Sequence, residues 1–290
     1  MKVNNQMAVF VSRRRWLKRK IMKWLPEMAF YPLFEDLNFY FDPRDIAGPS
    51  FHFAYDLMKG FINYEEKAKN ELLALIPDDG IFFDIGANIG LYSIYFAKKK
   101  KEMKIYCFEP DSITFRCLRA TLDSYKNNQN IFLYKKAVGL LNEKRKLYKS
   151  KINDGGHTLK EDYLKEYEKT KEHDYEIVSI VNLDNFLKQE QLPWPHAIKI
   201  DIEGHELQAL KGLINTINCS RPTMLIESNN KDLLEKGPFW QFLSDLEKTG
   251  LYARQVGSES RLNLGELSKL AKENFNRGKI IENYFYQFKS

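Results

Sequence analysis

The stretch that decides the fold is Phe82-Phe83-Asp84-Ile85-Gly86-Ala87-Asn88-Ile89-Gly90-Leu91. An apolar, aromatic run meets a glycine-bearing turn, and a helix-forming run, Leu91–Lys99, follows it. Strand, tight turn and helix in that order bring backbone N–H groups and a helix N-terminus to the carboxyl end of the strand, where a ligand can be held. Glycines at 86 and 90 admit positive φ and let a ligand approach the backbone closely. The spacing is Gly-x-x-x-Gly, which is neither the Gly-x-Gly-x-x-Gly of dinucleotide-binding turns nor the Gly-x-x-x-x-Gly-Lys of phosphate loops. Asp84 adds a carboxylate at the strand end. A diphosphate would be repelled there and a cationic ligand attracted.

Outward from this turn a strand–helix rhythm is legible. Ile81–Ile85, Lys104–Phe108, Ile131–Tyr134, Glu176–Val181, Ala197–Ile200 and Thr223–Ile226 read as strands. Leu91–Lys99, Ser112–Lys126, Glu206–Asn215 and Lys231–Lys248 read as the helices between them. Such alternation predicts an α/β fold with parallel strands and crossover helices on both faces of the sheet. Tyr252–Val256 and Asn283–Phe288 are two further strands flanking a polar insert, and a hairpin-like end would complete a seven-stranded sheet. Residues 26–80 carry Pro26, Pro32, Pro43, Pro49 and Pro77 among many aromatics; they read as short helices and turns ending in a helix over about 62–75. The chain therefore divides into a helical N-terminal region, 1–80, and a ligand-binding domain, 81–290.

Some twenty residues after the glycine turn, the second strand ends in Phe108-Glu109-Pro110. An acid at that place accepts both ribose hydroxyls of a nucleoside. An aspartate, a glycine turn and a strand-end glutamate together describe a site for a nucleoside that also bears an amino-acid group and a positive sulfur, which is S-adenosylmethionine. The bland alternative is that Asp84 and Glu109 cap the helices that follow them. Asp84, Gly86, Asn88, Gly90 and Glu109 are the expected cofactor-binding residues.

The sequence resembles the FkbM-type family of S-adenosylmethionine-dependent methyltransferases over roughly residues 81–228. The resemblance rests on Asp84-Ile-Gly-Ala-Asn-Ile-Gly90, Phe108-Glu-Pro-Asp111, Ala137-Val-Gly139, Leu183-Asp-Asn-Phe186, Lys199-Ile-Asp-Ile-Glu-Gly-His-Glu206, Leu210-Lys-Gly212 and Arg221-Pro with Glu227. It implies the class I methyltransferase (Rossmann-like) fold and O-methylation of a saccharide or of a natural-product hydroxyl.

The block at 199–206 also has a chemistry of its own. Asp201 ends an apolar strand and Glu203-Gly204-His205-Glu206 opens the next helix, so polar groups gather at the carboxyl edge of the sheet. Methyl transfer needs the acceptor oxygen positioned in line and relieved of its proton. Asp201 is expected to orient or deprotonate the acceptor or to contact the methionyl amine of the cofactor. His205, whose ordinary pKa lies near neutrality, is the expected base, and Glu227 at the next strand end faces the same cleft. Helix capping and interaction with the helix dipole are the competing readings for Asp201, Glu203 and Glu206. Asp201, Glu203, His205 and Glu227 are types that ligate divalent metals, but nothing in their spacing requires one, and no metal is assigned.

The loop Asn153-Asp154-Gly155-Gly156-His157-Thr158 interrupts the rhythm; it either folds over the cofactor or is a polar surface turn. The Lys- and Glu-rich run 160–174 reads as a solvated helix with His173 at the surface, and His52 and His196 suggest structural roles.

The 290 residues carry 45 Lys+Arg against 39 Asp+Glu, a formal net charge of +6, at 43% hydrophobic composition, which excludes a disordered or fibrous chain. Eight of the cations and no acid fall within residues 1–25, so the remaining 265 residues hold 37 basic and 39 acidic groups. Phe10, Leu17, Ile21, Trp24 and Met28 share one helical face within this segment. A basic amphipathic helix over residues 10–28 can lie on an anionic membrane or dock on its own domain, and the pattern leaves both open. Ser12-Arg13-Arg14-Arg15 is not followed by the apolar stretch of an export signal, and no apolar run approaches the roughly 18 residues that span a bilayer. Three cysteines, Cys107, Cys117 and Cys219, form no paired framework and suit a reducing compartment. A cytoplasmic protein is expected, peripheral at the inner face of the membrane if the helix meets lipid. Nucleic-acid methylation is the first alternative, opposed by the acidic balance of the domain and by the absence of Asn-Pro-Pro-aromatic and Pro-Cys motifs. A non-catalytic, membrane-peripheral binding protein on the same fold is the second.

Overall fold

The computed structural model describes residues 25–34, 37–45, 48–59, 65–150, 153–168, 173–234 and 237–289. The basic N-terminal segment up to Trp24 lies outside them. The described chain runs β1 (Ala29–Phe34), β2 (Leu37–Phe41), α1 (Pro49–Lys59), α2 (Glu66–Ala74), β3 (Ile81–Ile85), α3 (Leu91–Lys99), β4 (Lys104–Phe108), α4 (Ser112–Ser124) and β5 (Ile131–Tyr134). It continues through β6 (Ala137–Val138), β7 (Glu143–Tyr148), α5 (Glu161–Glu168), β8 (Tyr175–Val181), α6 (Leu183–Gln189), β9 (Ala197–Ile200), α7 (Glu206–Gly212) and α8 (Ile214–Ser220). It closes with β10 (Thr223–Asn229), α9 (Asn230–Leu234), α10 (Pro238–Glu247), β11 (Leu251–Gln255), α11 (Leu264–Asn276) and β12 (Ile281–Phe288).

The main sheet has the order β11-β12-β10-β9-β3-β4-β5. β10, β9, β3, β4 and β5 are parallel, and β12 inserts antiparallel between β10 and β11. This is the class I methyltransferase arrangement the sequence led us to expect. The strands are buried on both faces and so read as near-continuous apolar runs. Alternation along them feeds two cores: Phe83, Ile85, Phe108 and Ile200 face one set of helices, while Phe82, Ile105 and Cys107 face the other. Chain order reverses between β3 and β9, both of which pair with each other, and the crevice outside the carboxyl ends at such a switch point is where open α/β sheets bind ligands.

Four expectations need correction. The described part of the N-terminal region is not purely helical: β1 and β2 form an antiparallel hairpin, with Ala29 opposite Phe41. Leu37 and Phe39 bury one face of that hairpin in the same core as Phe53, Leu72 and Phe82, while the Tyr40 N–H donates to Thr121 Oγ1 at 2.9 Å. The aromatics of 29–41 are therefore strand residues, and the β-propensity of the Phe/Tyr alternation outweighs the turn signal of Pro32. Second, Glu176–Val181 does not join the main sheet. It belongs to a three-stranded sheet of order β6-β8-β7, antiparallel to β7 and parallel to the two-residue β6. Third, the helices at 206–215 and 231–248 are each two: one breaks at Leu213, and the other restarts at Gly237-Pro238, where proline suits the first helical turn. The helix expected over 62–75 is described as Glu66–Ala74, and residues 62–64 lie outside the described set. His173, expected at the surface, is buried. No helix among the described residues is long and apolar enough to cross a membrane.

Candidate active site

β3 delivers the glycine turn to the sheet edge. Gly86 (φ +79°) and Ala87 donate their N–H groups to the Phe108 carbonyl at 3.0 and 3.1 Å, which locks the turn to β4. A Cβ on Gly86 would run into the carbonyl oxygen of Asp201, so glycine is required by both conformation and space. Gly90 (φ +89°) opens α3, and a Cβ there would meet Leu118. Asn88 between them is also left-handed (φ +49°), a conformation Asn tolerates better than most residues. Its side chain is occupied: Oδ1 accepts from the Ile89 N–H at 2.7 Å, and Nδ2 donates to the Asp154 carbonyl at 2.9 Å.

On the β4 side of this turn stands Glu109. Oε2 accepts from the Asn88 N–H at 2.9 Å and Oε1 from the Asp111 N–H at 2.7 Å. Burial raises its carboxyl to about 7 despite those bonds. Asp111 caps α4 through the Ile113 and Thr114 N–H groups, both at 2.8 Å, and is ion-paired with Lys149.

On the β9 side lies a dense charge cluster. Lys199 Nζ donates to Asp201 Oδ2 at 3.0 Å and to the Gly86 carbonyl at 3.3 Å, and lies 4.0 Å from Asp84 Oδ1. Burial opposes its charge, yet Asp201, Asp84 and Glu65 together hold its pKa above the ordinary lysine value. One oxygen from each of Asp201, Glu203 and Glu227 lies within 4.8 Å of the others. Glu203 has φ +53°, a strained backbone for a non-glycine residue, and Gly204 follows at +90°. Burial, then the charge of Asp201, raises Glu203 to about 8 and pushes Glu227 up as well. Glu206 accepts from the Ile202 and Gly204 N–H groups at 3.3 and 2.9 Å, so it braces the turn, and burial raises it to about 7.

His205 is 3% exposed and lines the same cleft, with Nδ1 bonded to nothing among the described residues. Burial, aided by the nearby charges of Lys160 and Arg145, lowers its pKa to about 4, so at neutral pH the ring is uncharged. The cleft, of about 220 Å³, is lined by Gly86, Asn88, Glu109, Asp201, His205 and Glu227 of the expected set. Asp84 and Gly90 do not line it. Asp84 lies beneath the turn, 1% exposed, where its Oδ2 accepts from Ser93 Oγ at 2.6 Å; burial raises its pKa. Here it acts as a buried counter-ion of Lys199.

Sequence reasoning missed Lys199 as the central cation, although it stands in the quoted block. It also missed Glu65, whose Oε2 accepts from Tyr92 OH at 2.8 Å and which belongs electrostatically to the cluster. The far wall was half anticipated: the 153–158 loop lines the cleft through Asn153, Asp154, Gly155 and His157, joined by Gly48, Pro49 and His52 from the N-terminal region. His157 is half-buried and held uncharged, its pKa lowered to about 3 by desolvation and then by Lys149; Nδ1 accepts from the Ser150 N–H at 3.0 Å.

Chemically the site is a cleft with a glycine turn at its floor, an acid at each side and far more carboxylate than ammonium. A ligand with hydroxyl donors at one end and positive charge at the other fits that donor set; a diphosphate does not. The sequence profile of the methyltransferase FkbM domain matches residues 84–248. This chain belongs to the FkbM methyltransferase domain family. It is 25% identical over 146 residues to the hexuronic acid methyltransferase AglP of Haloferax volcanii, covering 50% of this chain and 55% of AglP. It is 26% identical over 153 residues to Methyltransferase 1 of Beauveria bassiana, covering 49% and 61%. The FkbM-domain chain thus spans little more than half the length of these relatives. Among solved structures it is similar to methyltransferase FkbM from Methylobacillus flagellatus KT, at 16% identity and a TM-score of 0.46, covering 80% of this chain and 53% of that one.

Proposed function

We propose that the protein is an S-adenosylmethionine-dependent methyltransferase acting on a hydroxyl of a saccharide or other small acceptor. The observation that carries this reading is the pairing, at one sheet edge, of Glu109 with the glycine turn on one side and of Lys199, Asp201, Glu203, Glu227 and His205 on the other. The residues fit the cofactor: Glu109 keeps lone pairs for ribose hydroxyls beyond its two backbone donors, and the surplus of carboxylates suits a sulfonium and an ammonium. When bound, S-adenosylmethionine supplies a methyl carbon on a positively charged sulfur. Asp201, fixed by Lys199, holds the methionyl amine or the acceptor in line.

His205, whose uncharged ring leaves Nδ1 unbonded among the described residues, would take the proton of the acceptor hydroxyl as that oxygen receives the methyl group. Glu227, whose raised pKa favours the protonated form, donates a hydrogen bond to the acceptor. The carboxyl trio at Asp201, Glu203 and Glu227 serves these cationic and hydroxylic groups, and no metal is assigned to it. The hexuronic acid in the name of AglP supports a sugar as the first acceptor class to try. A methyl-transfer screen with labelled S-adenosylmethionine against saccharides, lipids and nucleic acids tests the reading. Label on a saccharide or other small hydroxyl compound supports it; label on nucleic acid alone refutes the acceptor class.

A further inference from the structure

The 153–158 loop has a feature that the chemistry above does not use. Asp154 is 9% exposed and lines the cleft, yet its Oδ2 has no hydrogen-bond partner among the described residues. A buried carboxyl oxygen left unsatisfied is costly, so such a group in a cleft wall points to something that completes it.

The rest of the residue is firmly held. Its backbone N–H donates to Asp45 Oδ1 at 3.3 Å, and its carbonyl accepts from Asn88 Nδ2 at 2.9 Å. Oδ1 accepts from the Ser50 N–H at 3.4 Å. Asp45 in turn accepts from the Gly48 and Phe51 N–H groups at 2.9 and 2.6 Å, so it clamps the start of α1 to the loop. The Asp154 carboxyl also shares a hydrogen bond with that of Asp45, and burial beside this second acid raises its pKa. The carboxyl held in this way belongs to the wall of the cleft.

The position of the loop says which end of a ligand it meets. Asn88, which holds the Asp154 carbonyl, has its own N–H on Glu109, and His157 Nε2 of the same loop lies 3.5 Å from Asp111 Oδ2. Both anchors are on the β4 side of β3, whereas Asp201 and Glu227 end β9 and β10 on the opposite side.

We propose that Asp154 Oδ2 accepts a hydrogen bond from the nucleoside half of the cofactor, a ribose hydroxyl or the base amine, making the 153–158 loop part of the nucleoside pocket. This rests on the cofactor reading above. The test is calorimetric titration of the full chain with S-adenosylhomocysteine and with 5′-methylthioadenosine, which keeps the nucleoside and lacks the amino acid. Asp154→Ala is expected to weaken both by the same factor, about tenfold. Asp154→Asn can donate to Asp45 through its amide and still present a carbonyl, so it is expected to bind within about twofold of the parent. Asp201→Asn is expected to weaken S-adenosylhomocysteine more than methylthioadenosine. Should the alanine variant fail to fold, Asp154→Val keeps the branched shape without the acceptor and is read in its place. Parent-like binding of both ligands by the acceptor-free variant, or a loss confined to S-adenosylhomocysteine, overturns the proposal. So does an asparagine variant as weak as the alanine one. A parent protein that binds neither ligand refutes the cofactor reading itself.

Discussion

Lys199 Nζ donates to Asp201 Oδ2 across 3.0 Å from two positions back on the same strand end, and the same ammonium bonds the Gly86 carbonyl. One buried cation thus joins β9 to the glycine turn and sets the position of the carboxylate nearest the proposed chemistry. Removing it would strand Asp84 and Asp201. Breaking a buried pair in this way costs about 3–5 kcal/mol, so Lys199→Met is expected to lower stability by roughly 3 kcal/mol in denaturant unfolding. Adding Asp84→Asn to that variant is expected to restore part of the loss, and an unaltered unfolding midpoint in Lys199→Met would contradict the assignment.

The buried acids give stability a definite pH dependence. Glu109, Glu206 and Glu203, at about 7, 7 and 8 when folded, bind protons more tightly folded than unfolded. Their contribution is complete below the ordinary glutamate value and is lost as pH rises through 7 and 8. His205 and His157, lowered to about 4 and about 3, act with the opposite sign, but only below the ordinary histidine value of about 6.5. Between pH 6.5 and 8.5 the acids act without that opposition. The ligand-free protein is expected to lose about 1–3 kcal/mol across that window, and Glu203→Gln is expected to flatten the slope. A flat or rising stability in chemical denaturation over the window would show that these groups are not buried as described.

His205 offers a kinetic test. His205→Ala is expected to lower kcat by about 10²–10⁴ while leaving S-adenosylhomocysteine affinity within about twofold, because the ring is assigned to the acceptor proton and not to the cofactor. A base must be unprotonated to act. With its pKa lowered to about 4, kcat/KM is expected to fall only on the acid side, below about pH 5. An acid limb near 6.5 would mean that the ring is solvated in the working enzyme.

Much of this was legible beforehand. Asp84-Ile-Gly-Ala-Asn-Ile-Gly90, Glu109 and the 199–206 block were readable because strand, turn and helix are local and their glycines answer to local backbone geometry. What the spacing of Asp84 could not disclose is the direction of its side chain, which turns beneath the turn to Ser93 and Lys199 and away from the cleft. The β1–β2 hairpin was hidden because its strands owe their burial to Phe53 and Thr121, partners supplied by tertiary packing. The sheet built from β6, β7 and β8 escaped notice for a similar reason: whether Glu176–Val181 pairs with β7 or enters the main sheet is decided by long-range contacts. Glu65 and Asp45 lie far from any motif and reach the site through the fold alone.

The carboxylates of Asp201, Glu203 and Glu227 come close enough to bind a divalent cation, yet Lys199 already occupies one oxygen of Asp201. Chelation with EDTA is therefore expected to leave methyl transfer unchanged. Loss of turnover on chelation, restored by added magnesium or manganese, would turn the trio into a metal centre.

The central claim is that the glycine turn and Glu109 hold S-adenosylmethionine. Its most direct test is calorimetric titration with S-adenosylhomocysteine of the parent protein and of Glu109→Ala, which loses the acceptor of the Asn88 and Asp111 N–H groups as well as the ribose contact. The account predicts saturable one-to-one binding by the parent and a loss of about 100-fold in the variant. Absence of binding to the parent, or equal affinity in the two proteins, would contradict it.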